Sequence, residues 1–178
     1  MIKTMKDCER DTCLAVADMM VAAAKTAPKG SGKDTVEACV LTGEDKDALA
    51  AAMREFGEEV GEEFIIRDAG NVDNSHCVVI IGCKSTPFGL PNCHMCGFEN
   101  CGEMKKAGTN CVFNVTDLGI AVGSAVSIAA DYRIDNRIMF SAGAVAKEMG
   151  LLPDAEIIMG IPLSATGKSP FFDRSRAK

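Results

Sequence analysis

The chain is poor in the side chains that bind nucleic acids. It has no tryptophan and a single tyrosine, Tyr132, so it offers little aromatic surface on which bases could stack. Acidic residues outnumber basic ones by 25 to 19, and the net charge of −6 opposes binding to a phosphate backbone. We therefore expect no nucleic-acid partner.

The chain also lacks a long apolar run. Its longest apolar stretch, residues 120–130, is shorter than the roughly 20 residues that cross a bilayer, and Gly123, Ser124 and Ser127 interrupt it. Residues 1–7 have no apolar core of the kind found in signal peptides. We therefore expect no membrane span and a cytoplasmic location.

Cysteine, in contrast, is abundant, with nine in 178 residues. An odd number without a signal peptide fits the disulfide framework of a small secreted domain poorly. In a reducing compartment, metal ligation and buried free thiols explain the cysteines better. The length and the 47% hydrophobic content indicate one globular domain over residues 1–178.

Three of the cysteines fall within nine residues. Cys93, Cys96 and Cys101 form a C-x2-C-x4-C pattern in a loop rich in glycine and asparagine. Thiolates at this spacing can reach neighbouring corners of one metal centre, and four thiolates ligate a [4Fe–4S] cluster. The fourth could come from Cys111 or from Cys83, which lie at equal spacings on either side. Cys83 ends an apolar strand and suits burial, so we predict Cys111.

Structural zinc is the main competing interpretation. All-cysteine zinc sites more often have two C-x2-C pairs, whereas this loop has one. His94 lies inside the loop and could ligate or carry a proton, although we expect it to be exposed beside the site. The remaining cysteines lie on or near predicted helices and strands and are expected to be core or idle thiols: Cys8, Cys13, Cys39 and Cys77.

Hydrophobic periodicity predicts an α+β fold. We predict helices over residues 11–26, after Thr42, over 116–131 and over 141–150, and strands over 35–42, 77–83 and 155–161. A polar turn is predicted over residues 68–75, and the last strand is predicted to stop at Pro162. The cysteine loop, about residues 84–112, is then an insertion between a buried strand and a helix.

The helix predicted over residues 116–131 is apolar almost all round, so we expect a buried central helix. Gly119, Gly123 and Ser127 form one stripe of small residues on it. Such a stripe allows close approach of another helix, of a second subunit or of a flat cofactor.

Two segments could bind phosphate. Residues 160–169 end in Gly-Lys-Ser after a strand, but Pro162 stands where a P-loop requires glycine, so we reject nucleotide triphosphatase activity. Lys168 and Arg174 could still contact a cofactor phosphate as simple cations. Residues 27–33 (APKGSGK) are cationic and rich in free amides, which suits an anion, although the residues alone favour a plain helix–strand connector.

Three segments together resemble a known family: residues 89–101 (GLPNCHMCGFENC), 117–125 (DLGIAVGSA) and 167–174 (GKSPFFDR). They are similar to prokaryotic proteins of unknown function described as containing a ferredoxin domain, and the similarity extends over nearly the whole chain. In that family a cysteine stands at the position of Cys111. The resemblance therefore also implies Cys111 as the fourth ligand.

A fainter resemblance is to flavin-dependent nitroreductases, through the Ala-Pro loop at residues 27–30 and the elements over 116–162. It implies an α+β nitroreductase-like fold, with a central, mainly antiparallel sheet flanked by helices and with FMN at a homodimer interface. By position, the residues implied as cofactor contacts are Lys29, Gly30, Lys168 and Arg10. The chain departs from that family in lacking an Arg-x-Ser-x-Arg run and in having Gly32 where an amide side chain would meet the flavin.

These observations together predict a redox protein with a [4Fe–4S] cluster that passes single electrons, to or from a bound FMN. An enzyme of this kind would be a flavin-dependent oxidoreductase, and its partner a redox protein or a small-molecule electron acceptor. The alternative is a non-enzymatic scaffold or redox sensor, in which an Fe–S cluster or zinc staples the loop.

Overall fold

A computed structural model describes residues 2–172, and in this part of the chain six α-helices and four strands are found. In chain order they are α1 (Met5–Thr26), β1 (Val36–Leu41), α2 (Gly43–Val60), α3 (Glu63–Asp73), β2 (Cys77–Cys83), α4 (Cys101–Lys106), α5 (Val112–Asp131), β3 (Asp135–Asn136), α6 (Phe140–Glu148) and β4 (Ile157–Ser164). A 3₁₀ turn at Gly30–Gly32 lies between α1 and β1.

The strands form one sheet in the order β1-β2-β4-β3, and every pair is antiparallel. β2 lies between β1 and β4, and all seven of its residues are buried. A strand covered on both faces needs apolar side chains at every position, which is why β2 shows no polar alternation. The predicted α+β fold with an antiparallel sheet flanked by helices is confirmed.

The two faces of the sheet have separate apolar cores. Val79 and Ile81 of β2 point toward α1 and α5, while Val78 and Ile80 point toward α2, α3 and α6. Successive side chains of a strand face opposite sides, so one strand supplies both cores. The cysteine loop leaves this framework at the end of β2 and returns to it at the start of α5.

α1 and α3 differ from the sequence predictions, and α4 was not predicted at all. α1 begins at Met5, because Thr4 and Asp7 form a capping box almost two turns before the predicted start at residue 11. α3 replaces the predicted polar turn, and it buries Ile65, Ala69 and Val72 on one face. These positions are spaced i, i+4, i+7, so the helical period was present, but the polar residues between them obscured it.

β4 continues through Pro162, so the prediction that it stops there is wrong. Gly160 donates its amide to Met139, on the side of β4 that faces away from β2. Two residues further on, the nitrogen of Pro162 points to that same side. Pro162 lies between the bridge of Gly160 with Met139 and the pairing of β4 with β3, so the pairing on that side of β4 is interrupted there. Proline therefore costs β4 no hydrogen bond to β2.

α5 is buried on one face only, which corrects the prediction of a helix buried all round. Leu118, Ala121 and Ala125 pack into the core against α1 and the sheet. The opposite face is exposed, including the small-residue stripe and two apolar side chains: Val115, Gly119, Ile120, Gly123 and Ser127.

By length and composition, α5 is also the single described helix that could cross a membrane. It carries two buried polar side chains, Asn114 and Asp117, and it packs against α1. A core helix of a globular domain passes the same test of length and composition.

The close contact of α6 with β4 depends on Gly143. A Cβ at this position would lie 1.9 Å from the carbonyl oxygen of Ile158, which is backbone and cannot rotate away. We expect Gly143→Ala to lower the free energy of unfolding in urea by about 3 kcal/mol or more.

Gly70→Ala is the matched control for this substitution. Gly70 is also helical, and a Cβ there meets nothing within 4 Å. Because alanine favours the helix over glycine, this variant should gain up to about 1 kcal/mol. An unchanged stability in Gly143→Ala would show that α6 does not pack on β4 as described.

Candidate metal centre

The four predicted ligands line a single cavity of about 340 Å³. Cys93 and Cys96 come from the irregular loop after β2, Cys101 from the start of α4, and Cys111 from the residue before α5. Three chain segments thus meet around one space. Its apolar wall includes Phe88, Leu90, Phe98, Met104 and Phe113.

The loop that presents Cys93 and Cys96 has no helix or strand over residues 84–100. Four of its residues have left-handed backbone angles, namely Gly89, Asn92, His94 and Gly97. Gly97 has φ 82° and donates its amide to the carbonyl of His94, which closes a tight turn between the two cysteines. The turn folds the C-x2-C pair back toward the cavity.

α4 fixes the third cysteine. The side chain of Asn100 accepts hydrogen bonds from the amides of Gly102 and Glu103, at 2.9 and 3.0 Å, and so caps the helix whose first residue is Cys101. One turn later, Met104 is buried against Phe88. The cap and this apolar contact set the direction of the short helix.

Cys111 is the N-cap residue of α5 and is 7% exposed. α5 is 20 residues long, so the positive end of its dipole lies at this residue. A negatively charged group bound in the cavity would therefore lie near the positive end of α5.

His94 is exposed at the edge of the cavity, as expected. Its Nδ1 lies 3.3 Å from the carbonyl oxygen of Phe98, to which it can donate. The contact holds the imidazole against its own loop.

Within residues 2–172, no three or more His, Cys, Asp or Glu side chains converge closely enough to hold one metal ion. The four thiols surround a space instead of meeting at a point. Any group bound by all four must therefore either fill this space or draw the loop inward.

Three of the other cysteines, Cys13, Cys77 and Cys83, lie in the apolar core, whereas Cys8 is exposed and Cys39 is half-buried. Cys83 does not line the cavity, and burial raises its pKa to about 11, with a smaller contribution from Asp117. Burial likewise raises the pKa of Cys13 to about 11 and that of Cys77 to about 12. These thiols stay protonated at neutral pH, which suits packing and opposes metal binding.

Two polar residues of α5, which the sequence analysis did not single out, hold the surrounding loops. The Oδ1 of Asn114 accepts the Thr86 amide at 2.9 Å, and the carboxylate of Asp117 accepts the Gly30 amide at 3.0 and 3.1 Å. Both side chains are almost fully buried. A polar residue on the buried stripe of an otherwise apolar helix was the signal that could have identified them.

Asn114 also has a free donor. Its Nδ2 is buried and has no hydrogen-bond partner among the described residues. It lies one turn after Cys111, and a buried N–H without a partner is costly.

Comparison with known proteins gives the family. A sequence profile described as an uncharacterized protein containing a ferredoxin domain matches residues 107–174. An uncharacterized protein of Archaeoglobus fulgidus is 44% identical over 186 residues, an alignment that covers the whole of both chains. The chain belongs to this ferredoxin-domain family. The profile match begins after Cys101, so it includes Cys111 and leaves out the other three cavity cysteines.

Solved structures place the ferredoxin-domain protein in the nitroreductase-like fold. A BluB-like flavoprotein of Clostridium difficile 630 has a TM-score of 0.60 and 15% identity, over 92% of this chain and 84% of that one. Nitroreductase CinD of Lactococcus lactis, in complex with nicotinic acid, has a TM-score of 0.60 and 13% identity, over 94% and 81%. An oxidoreductase containing FMN has a TM-score of 0.57 and 13% identity, over 89% and 70%. At these identities the likeness shows the fold alone.

Two of the residues predicted to contact FMN, Arg10 and Lys29, lie at opposite ends of α1. Arg10 lies in the second turn of α1 and pairs with Asp11, whereas Lys29 lies beyond the other end of that helix. The helix rises about 24 Å over the 16 residue steps from Arg10 to Thr26. Lys168 is exposed in the turn after β4, and Arg174 is outside the described residues.

The raised pKa values of the core thiols predict how stability depends on pH. In the unfolded chain these thiols ionise near pH 9, whereas in the native state they keep their protons to about pH 11. Between these values the unfolded state binds fewer protons, so the free energy of unfolding falls as pH rises, by about 1.4 kcal/mol per unit for each thiol.

The measurement is a series of urea unfolding curves between pH 8 and 11, with Cys77→Ala as the comparison. This variant starts from a lower stability, but its slope against pH should be shallower by about 1.4 kcal/mol per unit. Parallel slopes for the two proteins would mean that Cys77 ionises in the native state as it does in the unfolded one.

Proposed function

We propose that the ferredoxin-domain protein binds a [4Fe–4S] cluster on Cys93, Cys96, Cys101 and Cys111 and transfers electrons through it. One observation carries the proposal: these four thiols, from three separate segments, line one cavity, and Cys83 does not. The choice between Cys83 and Cys111 was open from spacing alone. The position of Cys111 on the cavity wall supports it as the fourth ligand.

The space between the thiols favours a cluster over zinc. Zinc bound by four thiolates at about 2.3 Å needs sulfur atoms only about 3.8 Å apart. Within residues 2–172 no three of the possible ligands approach a single point in this way. The four cysteines instead line, together with other residues, a cavity of about 340 Å³, and a cubane of eight atoms occupies more space than a single ion.

When bound, the cluster would supply one-electron chemistry, and the protein would supply its surroundings. Phe88, Met104 and Phe113 form an apolar wall that limits access of water. The positive end of α5 lies at the cavity wall, where it would stabilise the negative charge of a bound cluster. Burial, charge and hydrogen bonds to sulfur are the means by which proteins set cluster potentials.

The flavin part of the prediction finds support in the fold and not in the side chains. The similar folds include flavoproteins, yet in this chain the Gly30 amide is bonded to Asp117 and the Lys29 ammonium to three carbonyls. The residues present therefore do not fit a flavin phosphate. Electron transfer to a redox partner protein or a small-molecule acceptor remains our proposal for the cluster.

A second candidate function is a metal-stapled scaffold or redox sensor. It is favoured by the small apolar core of the loop region, which consists of Phe88, Met104 and Cys111 with a few half-buried neighbours. A loop with so little core of its own gains stability from any metal that joins its segments.

We also propose a cytoplasmic location and a homodimer. The exposed face of α5 supports the dimer, because Val115 and Ile120 are more than 40% exposed on it. Apolar side chains beside a stripe of small residues suit close packing of a second copy.

The deciding experiment is anaerobic purification of the full chain, with an absorption spectrum and analysis of iron, zinc and sulfide. We expect about four iron and four sulfide per chain, and a broad visible band that bleaches on reduction. One zinc per chain without sulfide would rule out the cluster and leave the scaffold.

Cys101→Ser should abolish the cluster band, because the first residue of α4 supplies one corner of the centre. Cys39→Ser is the control, since Cys39 lies on β1 outside the cavity. Equal loss of iron in both variants would show that the ligands are misassigned.

A second pair of variants tests the fourth ligand. Cys111→Ser should lose iron, whereas Cys83→Ser should keep it, because Cys83 is a protonated thiol in the core of the sheet. The reverse result would exchange the two assignments.

A further inference from the structure

We propose that Asp117 acts as an internal anion that fills the loop over residues 27–33, and that this loop supports the wall of the cysteine cavity instead of binding a phosphate. The part that concerns the loop stands on its own contacts. The part that concerns the cavity rests on the proposed function, because it requires a metal centre there.

Three backbone amides of the loop are already used. Gly30 donates to both carboxylate oxygens of Asp117, at 3.0 and 3.1 Å. The amides of Gly32 and Lys33 donate to the carbonyls of Lys29 and Gly30, each at 3.0 Å. Asp117 is 3% exposed, so a carboxylate carried by α5 holds the position at which an entering phosphate would seek these donors.

The cations of the loop are occupied as well. The ammonium of Lys29 donates to the carbonyls of Ala24, Lys25 and Ala27, at 3.0, 2.7 and 2.8 Å, and so satisfies the last turn of α1. The ammonium of Lys33 lies 5.1 Å from the ring centre of Phe88 and donates to the Phe88 carbonyl at 3.3 Å. Releasing either cation would leave protein acceptors without a donor.

The loop reaches the metal cavity through Phe88. The ring of Phe88 packs directly on Gly30, where a Cβ would lie 2.7 Å from its Cε1. The same ring lines the cavity and stacks on Phe113, with 5.1 Å between the ring centres. Asp117 thus fixes the position of Gly30 through hydrogen bonds, and Gly30 contacts the ring of Phe88. Phe88 in turn forms part of the cavity wall beside the cysteines. Asp117 is therefore a positioning residue for the centre.

Asp117→Ala and Asp117→Asn test the inference on the full chain. With the centre loaded, the rate of metal loss to a chelator should rise about tenfold in Asp117→Ala, as is usual when an outer-shell partner is removed, and less in Asp117→Asn, which keeps one acceptor for Gly30. Asp131→Asn is the matched control, because it makes the same change at the exposed end of the same helix.

Gly30→Ala tests the contact between the loop and Phe88 without changing Asp117. The added methyl group must displace the Phe88 ring, so metal loss should also accelerate in this variant even if Asp117→Ala fails to fold. Metal loss at the wild-type rate in both Gly30→Ala and Asp117→Asn would overturn the positioning role.

Flavin binding is measured separately, by titrating FMN into wild-type protein and by assaying flavin released on denaturation. We expect no saturable binding and no released flavin. If FMN binds stoichiometrically and Lys29→Ala abolishes that binding, the inference that residues 27–33 do not bind a phosphate is wrong. These measurements also separate failure of the inference from failure of the proposed function. If the centre holds zinc and not a cluster, the rate of zinc loss tests the role of Asp117 in the same way. The FMN titration does not depend on any metal.

Discussion

Two buried side chains on one helix hold together segments that are distant in sequence. Asn114 and Asp117 lie on the core face of α5, and they bind backbone amides 28 and 87 residues away. These hydrogen bonds offset the burial of the Asp117 carboxylate and of Asn114 Oδ1, whereas Asn114 Nδ2 has no partner among the described residues. The region around the cysteines has no regular structure before α4, so these bonds and a few apolar contacts define its shape.

The sheet provides the rigid support for this arrangement. β2 is buried on both faces and ends at Cys83, where the chain enters the loop. α5 packs across the same face of the sheet as α1, and it begins where the loop ends. Both ends of the loop are therefore anchored in the larger core, while the loop itself buries only Phe88, Met104 and Cys111. Such a segment can adapt to a bound group without disturbing the fold.

The likeness to flavoproteins illustrates how a fold can persist while a site changes. The ferredoxin-domain protein keeps the antiparallel sheet and the central helix, but its early loop is filled by a carboxylate of its own chain. Lys29, the cation nearest to that loop's start, caps α1 instead of facing an open site. The cavity with four thiols lies on the other side of Phe88 from this loop, so the metal centre that we propose lies outside the early loop.

The sequence by itself determined the strand β2 and the group of cysteines that could bind a metal. Both depend on local pattern, namely an unbroken apolar run and a C-x2-C-x4-C spacing, and β2 was predicted to the residue. The sequence analysis missed α3, because polar residues stand between its apolar positions and only its packing partners reveal the buried face. It also missed the path of β4 through Pro162, because a proline is tolerated in a strand only where no neighbouring strand needs its N–H.

Only the tertiary structure decided which cysteines share a cavity and what the early loop binds. Cys83 and Cys111 are equally spaced from the C-x2-C-x4-C run, so distance along the chain cannot separate them. The pairing of Gly30 with Asp117 spans 87 residues, and no local pattern encodes such a contact. Burial and the need to satisfy buried polar groups act on residues brought together by folding, and these two constraints place Cys111 at the cavity and pair Gly30 with Asp117.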